Sequence, residues 1–378
     1  MATKGTRRVV VIGGGAGGLM AALTAGQCGA EVTVLEMANR VGKKLLKTGN
    51  GRCNLSNTHV SPEGYNCPGF VKTVLTATDC AVLCGHFASL GLWTTEDGEG
   101  RVYPRSDTAS SVLDVLRLAC AENGVREVCS AEVTAIRPAP DGTFRIQTRD
   151  GGQYTAERVI AATGGGTALL RSLGHRLVPF SPVLCPIKTD TVSIRGLSGL
   201  RVKCRARLYN GQTLLADERG EILFRDFGVS GILALDLSRF LAPGAVLSLD
   251  LLPETDENEL VSRLAGRRGG AERLTGIFHR RVAEALMREA KGDDPAALAH
   301  RIKDYRMTVL GCGDTQNAQV TRGGADTAQF DPATLQSRLC PGVYAIGEAL
   351  DVDGRCGGYN LHWAFASGIA AGRSAALD

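Results

Sequence analysis

No stretch of the 378 residues approaches the roughly 18 to 20 consecutive apolar residues that a membrane-spanning helix needs. Arg7 and Arg8 lead straight into an apolar run of strand length, without the layout of a signal peptide, so a cytoplasmic protein with no membrane partner is expected. Charge of one sign is scarce too: 43 basic residues face 39 acidic ones, interleaved along the chain, leaving +4. An excess so small and diffuse makes no nucleic-acid surface by itself. Twelve cysteines are present, yet no Cys-x-x-Cys and no Cys/His pairing at zinc spacing, so no metal site is expected. Most of them read as small buried residues in a reducing compartment. Internal repeats and low-complexity tracts are missing as well. With 44% hydrophobic and 22% charged residues, the chain is globular and long enough for one large domain plus an insertion.

What is present begins with a strand, a glycine turn and a helix. Residues 8–12 are Arg-Val-Val-Val-Ile, residues 13–18 are Gly-Gly-Gly-Ala-Gly-Gly, an Ala/Leu-rich helical segment runs to about Gly29, and residues 31–36 form a second strand. Residues 37–68 lack a clear period and read as loop with a short helix over 43–47. Helices are expected at 75–90 and 110–123; in the second, Val112, Leu113, Leu116, Ala119 and Cys120 share one face and Gly124 stops it. Residues 125–160 read as an antiparallel meander turning at Asp141-Gly142 and at Asp150-Gly151-Gly152. Ser181-Pro182 and Cys185-Pro186 mark a boundary, because X-Pro steps hold the chain extended. Short strands then dominate to about 253, with a turn at Asn210-Gly211, and 256–305 turns helical and charged, broken at Arg267-Arg268-Gly269-Gly270. A buried strand over 342–348 and a small-residue helix over 361–376 close the sequence.

A lone Gly-x-Gly-x-x-Gly is weak evidence, but Gly13, Gly15 and Gly18 stand after a strand and before a helix, and Glu36 ends the second strand. Gly13 permits the tight turn, Gly15 lets a pyrophosphate approach the backbone, and Gly18 lets the helix sit close. The helix start at Ala16 offers amide donors to phosphates, and Glu36 can accept from ribose hydroxyls. No second such motif occurs between 165 and 346, so a nicotinamide cofactor would bind only transiently.

This motif is common to NAD and FAD proteins; two later segments separate them by resemblance. Residues 159–165, Val-Ile-Ala-Ala-Thr-Gly-Gly, resemble the strand-turn of two-dinucleotide-binding flavoproteins, and Ala345-Ile346-Gly347-Glu348 resembles their terminal fingerprint, with Glu where Asp is usual. Residues 43–54, Lys-Lys-Leu-Leu-Lys-Thr-Gly-Asn-Gly-Arg-Cys-Asn, and 351–361, Asp-Val-Asp-Gly-Arg-Cys-Gly-Gly-Tyr-Asn-Leu, closely resemble the bacterial flavoprotein family that contains aminoacetone oxidase and the bile-acid-pathway enone reductase. Residues 227–232, 318–324 and Leu173-Gly174-His175 match it as well, so the resemblance covers nearly the whole chain. In one respect the chain departs from it: Gly164-Gly165-Gly166 runs almost directly to Leu173, without the usual Gly/Ser-rich loop.

The resemblance implies an α/β fold: a Rossmann-like FAD-binding domain formed by both chain ends (1–186 and 335–378), an inserted β-barrel-like domain (187–254 and 307–334) and a helical lid (255–306). It implies an FAD site made of Gly13, Gly15, Ala16, Gly18 and Glu36, of Lys43, Lys44, Thr48, Gly49, Gly51, Arg52, Cys53 and Asn54, of Glu132 and Val133, of Ala162, Thr163 and Gly164, and of Gly347, Glu348, Asp351, Gly358, Tyr359, Asn360 and Leu361. Gly49 and Gly51 remove side chains where a planar ring could lie, and Gly357-Gly358 before a helix can aim amides at the edge of the flavin that gathers negative charge on reduction. Arg52, Tyr359 and His362 are the candidates for contact with substrate or proton transfer. Cys53 and Cys356 lack the paired spacing of flavin disulfide reductases and are read as ordinary thiols. The expected activity is reduction of a conjugated carbonyl compound by hydride transfer through flavin N5, with NADH or NADPH as a transient donor. Oxidation of a small aminoketone, and a flavin-binding redox sensor or RNA-modifying flavoprotein, are the alternatives. The expected partner is a small-molecule substrate, and the expected state is monomer or homodimer.

Overall fold

The computed structural model describes residues 6–242, 244–266, 269–313 and 320–378; of the stretches singled out above, Arg267-Arg268 and Ala318-Gln319 lie outside the described residues. The chain divides into two compact units, Met1–Ser181 with Thr321–Asp378, and Pro182–Val320.

The first unit opens with β1 (Arg8–Ile12), α1 (Ala16–Gln27) and β2 (Glu31–Leu35), and Val9 to Ile12 of β1 are buried, as a central parallel strand requires. β3 (Ser56–Asn57), α2 (Pro68–Ala77), α3 (Cys80–Ser89), β4 (Thr94–Glu96), β5 (Arg101–Pro104) and α4 (Ala109–Glu122) follow, the three strands pairing antiparallel in the order β3-β5-β4. In place of the single helix expected over 75–90 there are two. Thr78 leaves helical geometry, and Asp79 caps a new helix, its carboxylate accepting from Val82 N at 2.8 Å. The short helix expected over 43–47 sits later, as a 3-10 segment Leu45–Gly51 broken by left-handed residues at Gly49 and Asn50.

β6 (Arg126–Val128) is also a correction: it lies parallel beside β2, so only β7 (Val133–Pro138), β8 (Phe144–Thr148) and β9 (Gln153–Ala156) make the antiparallel meander. β10 (Arg158–Ala161) returns beside β1, and α5 (Ala168–Ser172) and β11 (Leu177–Val183) lead out.

The second unit carries β12 (Ile187–Thr189), β13 (Arg201–Asn210), β14 (Thr213–Arg225), β15 (Gly228–Ser230), α6 (Ile232–Leu237), β16 (Val246–Asp250), α7 (Glu257–Ala265), α8 (Arg280–Ala290), α9 (Pro295–Lys303) and β17 (Tyr305–Cys312). Its strands close a barrel in the order β12-β15-β14-β13-β16-β17. Alternate residues point inward, as in Cys204, Ala206 and Leu208 of β13 or Tyr305, Met307 and Val309 of β17. Leu260, Leu264, Val282, Leu286, Leu298 and Ile302 of α7 to α9 enter this same core, so the helical segment has no separate core of its own.

The chain leaves the barrel after β17. β18 (Val320–Ala325) pairs with β11, so 321–334, expected in the insert, belong to the first unit. β19 (Val343–Ala345) then joins the edge of the parallel sheet, completing β19-β10-β1-β2-β6, and α10 (Tyr359–Leu377) packs along α1. Small residues set that packing. A Cβ on Gly368 would stand 2.6 Å from Gly17 O, and one on Gly372 would stand 2.4 Å from Ala21 O, so the two backbones are in contact. No helix among the described residues is long and apolar enough to cross a membrane.

Candidate functional site

From β1 the chain moves to β2 on one side, while β10 occupies the other, so the crevice at the carboxyl ends of β1 and β10 is the place where strand order reverses. Three turns meet along that edge of the sheet: Gly13–Gly18 after β1, Ala162-Thr163-Gly164 after β10 and Gly347-Glu348 after β19. The glycines are required sterically. A Cβ on Gly13, whose φ is +106°, would stand 2.4 Å from Ala162 O, and one on Gly18 would stand 1.9 Å from Gly13 O. Gly15 is the opposite case, with no atom within 4 Å of the position a Cβ would take, so ground stays open before Ala16, the first residue of α1, where amide donors are unspent.

Glu36 is fixed by two backbone donors, Gly14 N to Oε2 and Ala38 N to Oε1, each at 2.7 Å, and each oxygen keeps a lone pair for another hydroxyl. Nearby, Asn39, Arg40, Val41, Leu46 and Cys129 line a cavity of about 300 Å³. Glu132 instead pairs with Arg149 at 2.7 Å, and neither it nor Val133 at the start of β7 lines that cavity. On the other flank, the Lys44 ammonium meets Glu348 Oε2 at 2.5 Å, and a Cβ on Gly164 would come within 3.7 Å of the same oxygen. Lys43 is exposed. The Thr163 hydroxyl is buried without a hydrogen-bond partner, a polar group left for a ligand or water.

The second cluster is built by two loops more than 290 residues apart in sequence. Gly49, Asn50, Gly51 and Cys53 all have positive φ, and the turn is tied by Cys53 N to Thr48 O at 3.0 Å and the Thr48 hydroxyl to Leu45 O at 2.6 Å. Cys53 is buried, which pushes its thiol up to about 12; all twelve cysteines are free thiols. Facing this turn, Gly358 with φ +104° presses so close that a Cβ would stand 2.2 Å from Ser56 O. The Asn54 amide ties the loops together: with its nitrogen toward Val102 O and Ser56 O and its oxygen toward Gly358 N, it makes bonds of 3.2, 2.9 and 3.1 Å. Asn360 closes the neighbouring turn, accepting from Gly354 N at 2.8 Å and donating to Gly354 O at 3.0 Å, while Leu361 packs against the core. The Asp351 carboxylate accepts from Gly323 N at 3.1 Å, and burial beside Asp353 holds its pKa above the usual carboxylate range. Asp353, fully buried, is gripped by Arg322 at 2.8 and 3.1 Å.

Two of the three catalytic expectations are corrected here. His362 is fully buried, with Nδ1 2.8 Å from Ser56 Oγ and Nε2 2.9 Å from Thr78 O, and burial lowers its pKa from 6.5 to about 4. A carbonyl can only accept, so Nε2 carries the proton and Nδ1 accepts from Ser56; this imidazole braces α10 and exchanges no proton with a substrate. Tyr359 donates its phenol to His59 O at 2.8 Å, with its ring against Gly64 and tilted over Tyr65 at 5.6 Å, so its hydroxyl is committed to the fold. Arg52 remains open: half-exposed, it pairs with Asp107 at 2.6 Å and lies 4.2 Å over the ring of Tyr103.

Tyr103 belongs to no motif, and nothing in the sequence around it marks it. The residue is buried at 7% exposure beneath Arg52, with Arg101 and Cys356 close enough to influence its ionisation. His175 of the shortened loop is structural, stacked on Phe330 at 4.6 Å with Nε2 3.1 Å from Ser337 Oγ.

The family described as HI0933-like protein Rossmann domain matches residues 7–374. A 3-dehydro-bile acid delta(4,6)-reductase of Clostridium scindens is 36% identical, with 98% of this chain and 99% of the relative aligned. A ribosomal RNA dihydrouridine synthase of Escherichia coli is 28% identical, with 96% of each chain aligned. Among solved structures, a 3-ketosteroid-delta4-(5alpha)-dehydrogenase of Rhodococcus jostii shares the fold at a TM-score of 0.50 and 16% identity, over 100% of this chain and 99% of that one.

Proposed function

The chain belongs to the HI0933-like Rossmann-domain family and is an FAD-dependent oxidoreductase, and from that premise we propose that it reduces a conjugated carbonyl compound, drawing on NADH or NADPH as a transient donor. The residues fit the cofactor. Gly15 and the start of α1 would receive the pyrophosphate, Glu36 the adenosine ribose, and the cavity beside Arg40 and Cys129 the adenine. Thr163, Lys44 and Glu348 would hold the middle of the molecule, and the loops around Gly49–Asn54 and Gly357-Gly358 the isoalloxazine. Bound FAD supplies N5, the atom that accepts and passes on a hydride. The first turn of α10 contributes amides that favour negative charge, and the half-exposed Arg52 guanidinium adds a positive charge.

The observation that carries the substrate class is the likeness along 98% of the chain to a reductase named for a 3-dehydro-bile acid. Anaerobic addition of NADH or NADPH to the purified holoprotein should bleach the visible flavin absorbance, and a cyclic enone should restore it. Bleaching by an aminoketone alone would replace this reading with an oxidase.

A second reading, a flavoprotein acting on RNA, rests on the Escherichia coli relative. The interleaving of 43 basic with 39 acidic residues speaks against it. Reoxidation of the reduced flavin by ribosomal RNA but by no enone would make it the correct one.

A further inference from the structure

Tyr359 and His362 are both spent on the fold, so the proton that completes the reduction must come from another group. Tyr103 answers to that description on geometry alone. It sits in β5 beside Val102, the residue whose carbonyl takes Leu55 N at 2.8 Å and which is reached by the Asn54 amide, so the backbone of β5 is stitched to the Gly49–Asn54 loop. From there the ring lies under the Arg52 guanidinium at 4.2 Å. Two residues earlier in β5, the Arg101 stem comes within 3.7 Å of the place a Gly357 Cβ would occupy, which brings in the second glycine loop. The ring is therefore held where the two loops converge, and it is buried at 7% exposure. Its hydroxyl makes no hydrogen bond with the described residues and is not sealed from solvent, unlike the bonded phenols of Tyr65, Tyr305 and Tyr359.

We propose that Tyr103, stacked beneath Arg52, binds the carbonyl oxygen of the substrate and delivers the proton that completes its reduction. The proposal rests on the enone reading above. In that reaction the β-carbon gains a hydride from the reduced flavin, the carbon–carbon π pair shifts toward the carbonyl, and negative charge gathers on oxygen. The Tyr103 O–H bond breaks as its proton moves to that oxygen, giving an enol that becomes the saturated ketone, and solvent returns a proton to the phenolate. Burial, joined by the nearby Asp97 and Cys356, favours the phenol, while Arg101 and Arg52 favour the transient phenolate, so Tyr103 stays protonated near neutrality and can still give its proton up. Because an enolate and a phenolate are of comparable basicity, little driving force is lost in the transfer.

The test compares wild-type holoenzyme with Tyr103→Phe, which keeps the ring that Arg52 stacks upon. Flavin content and melting temperature should match. In a spectral titration of the oxidised holoenzyme with a cyclic enone, where no turnover occurs, the dissociation constant should rise about 3- to 10-fold through loss of one hydrogen bond. Flavin reoxidation by the enone should slow by about a hundredfold, the usual scale for a general acid, and the solvent deuterium isotope effect expected of the wild type should be lost. A variant that binds and reduces the enone like wild type overturns the assignment of Tyr103 while leaving the reductase reading intact. Loss of flavin from the variant also overturns it, by making the residue part of the cofactor site. A wild-type protein that holds flavin but is reoxidised by no enone removes the reductase reading itself, and Tyr103 with it.

Discussion

Buried without charge between Ser56 and Thr78, His362 makes the fold sensitive to acid. Its pKa falls from 6.5 to about 4 on folding because burial disfavours the imidazolium. The unfolded chain therefore binds the extra proton first, and the stability contributed by neutral His362 is complete above about pH 6.5 and lost as pH falls toward 4. The loss amounts to about 3 kcal/mol. Urea unfolding at neutral and acidic pH should show a shallower fall in stability for His362→Gln than for wild type, even though the variant starts lower. At the same scale, Arg52→Lys should lower enone turnover about tenfold or more, because an ammonium cannot stack flat on Tyr103 while reaching Asp107; equal steady-state rates for the two proteins would show that the stack has no part in the reaction. The roles of these residues were not legible in the sequence. His362 and Tyr359 stand beside a glycine pair and look available for chemistry, yet their partners Thr78 and His59 lie 284 and 300 positions away. Tyr103 draws its meaning from Arg52, and nothing in the residues around it marks that contact.

Among the elements, the strand, turn and helix at the amino end were legible because each glycine answers to one local steric demand. Gly18→Ala would place a methyl 1.9 Å from Gly13 O and lever α1 off the turn. Overpacking of this kind costs about 1–3 kcal/mol, and it falls on the nucleotide cradle, so the purified variant should carry a much lower ratio of visible to ultraviolet absorbance. Gly372→Leu tests the seam between α1 and α10: the side chain would meet Ala21 O and should lower the melting temperature by several degrees. The break between α2 and α3 is hard to read in the sequence because neither Thr78 nor Asp79 is a glycine or a proline, and only the capping carboxylate gives it away. The place of β6 outside the meander is not legible either, because three residues of strand, Arg-Glu-Val, are too few to reveal whether their neighbour is parallel.

For the molecule as a whole, every group assigned above to the nucleotide lies in the unit Met1–Ser181 with Thr321–Asp378. Its sheet and the seam between α1 and α10 make no use of the barrel strands. A variant in which residues 182–320 are replaced by a short glycine-serine bridge between the ends of β11 and β18, which already pair, should fold and keep FAD. Flavin absorbance and fluorescence after gel filtration would check this; a colourless or aggregated product would show that the second unit is needed to hold the cofactor. The return of the chain to its first sheet was legible through the 345–348 fingerprint, whereas the exit from the barrel after β17 was not, since β17 and β18 are both short strands and only their pairing assigns them.

The distance in sequence between β1 and α10 also governs how the protein comes into being. Lys44 and Glu348 meet across 304 positions, and β10 waits for β19 before its outer edge is covered. On the ribosome, the barrel strands emerge before the sheet that begins ahead of them can be completed, and the amino-terminal strands must remain soluble with that edge unsatisfied until β19 emerges. A chain interrupted before β19 lacks Glu348 and the Gly357-Gly358 loop, and should therefore stay colourless when FAD is added.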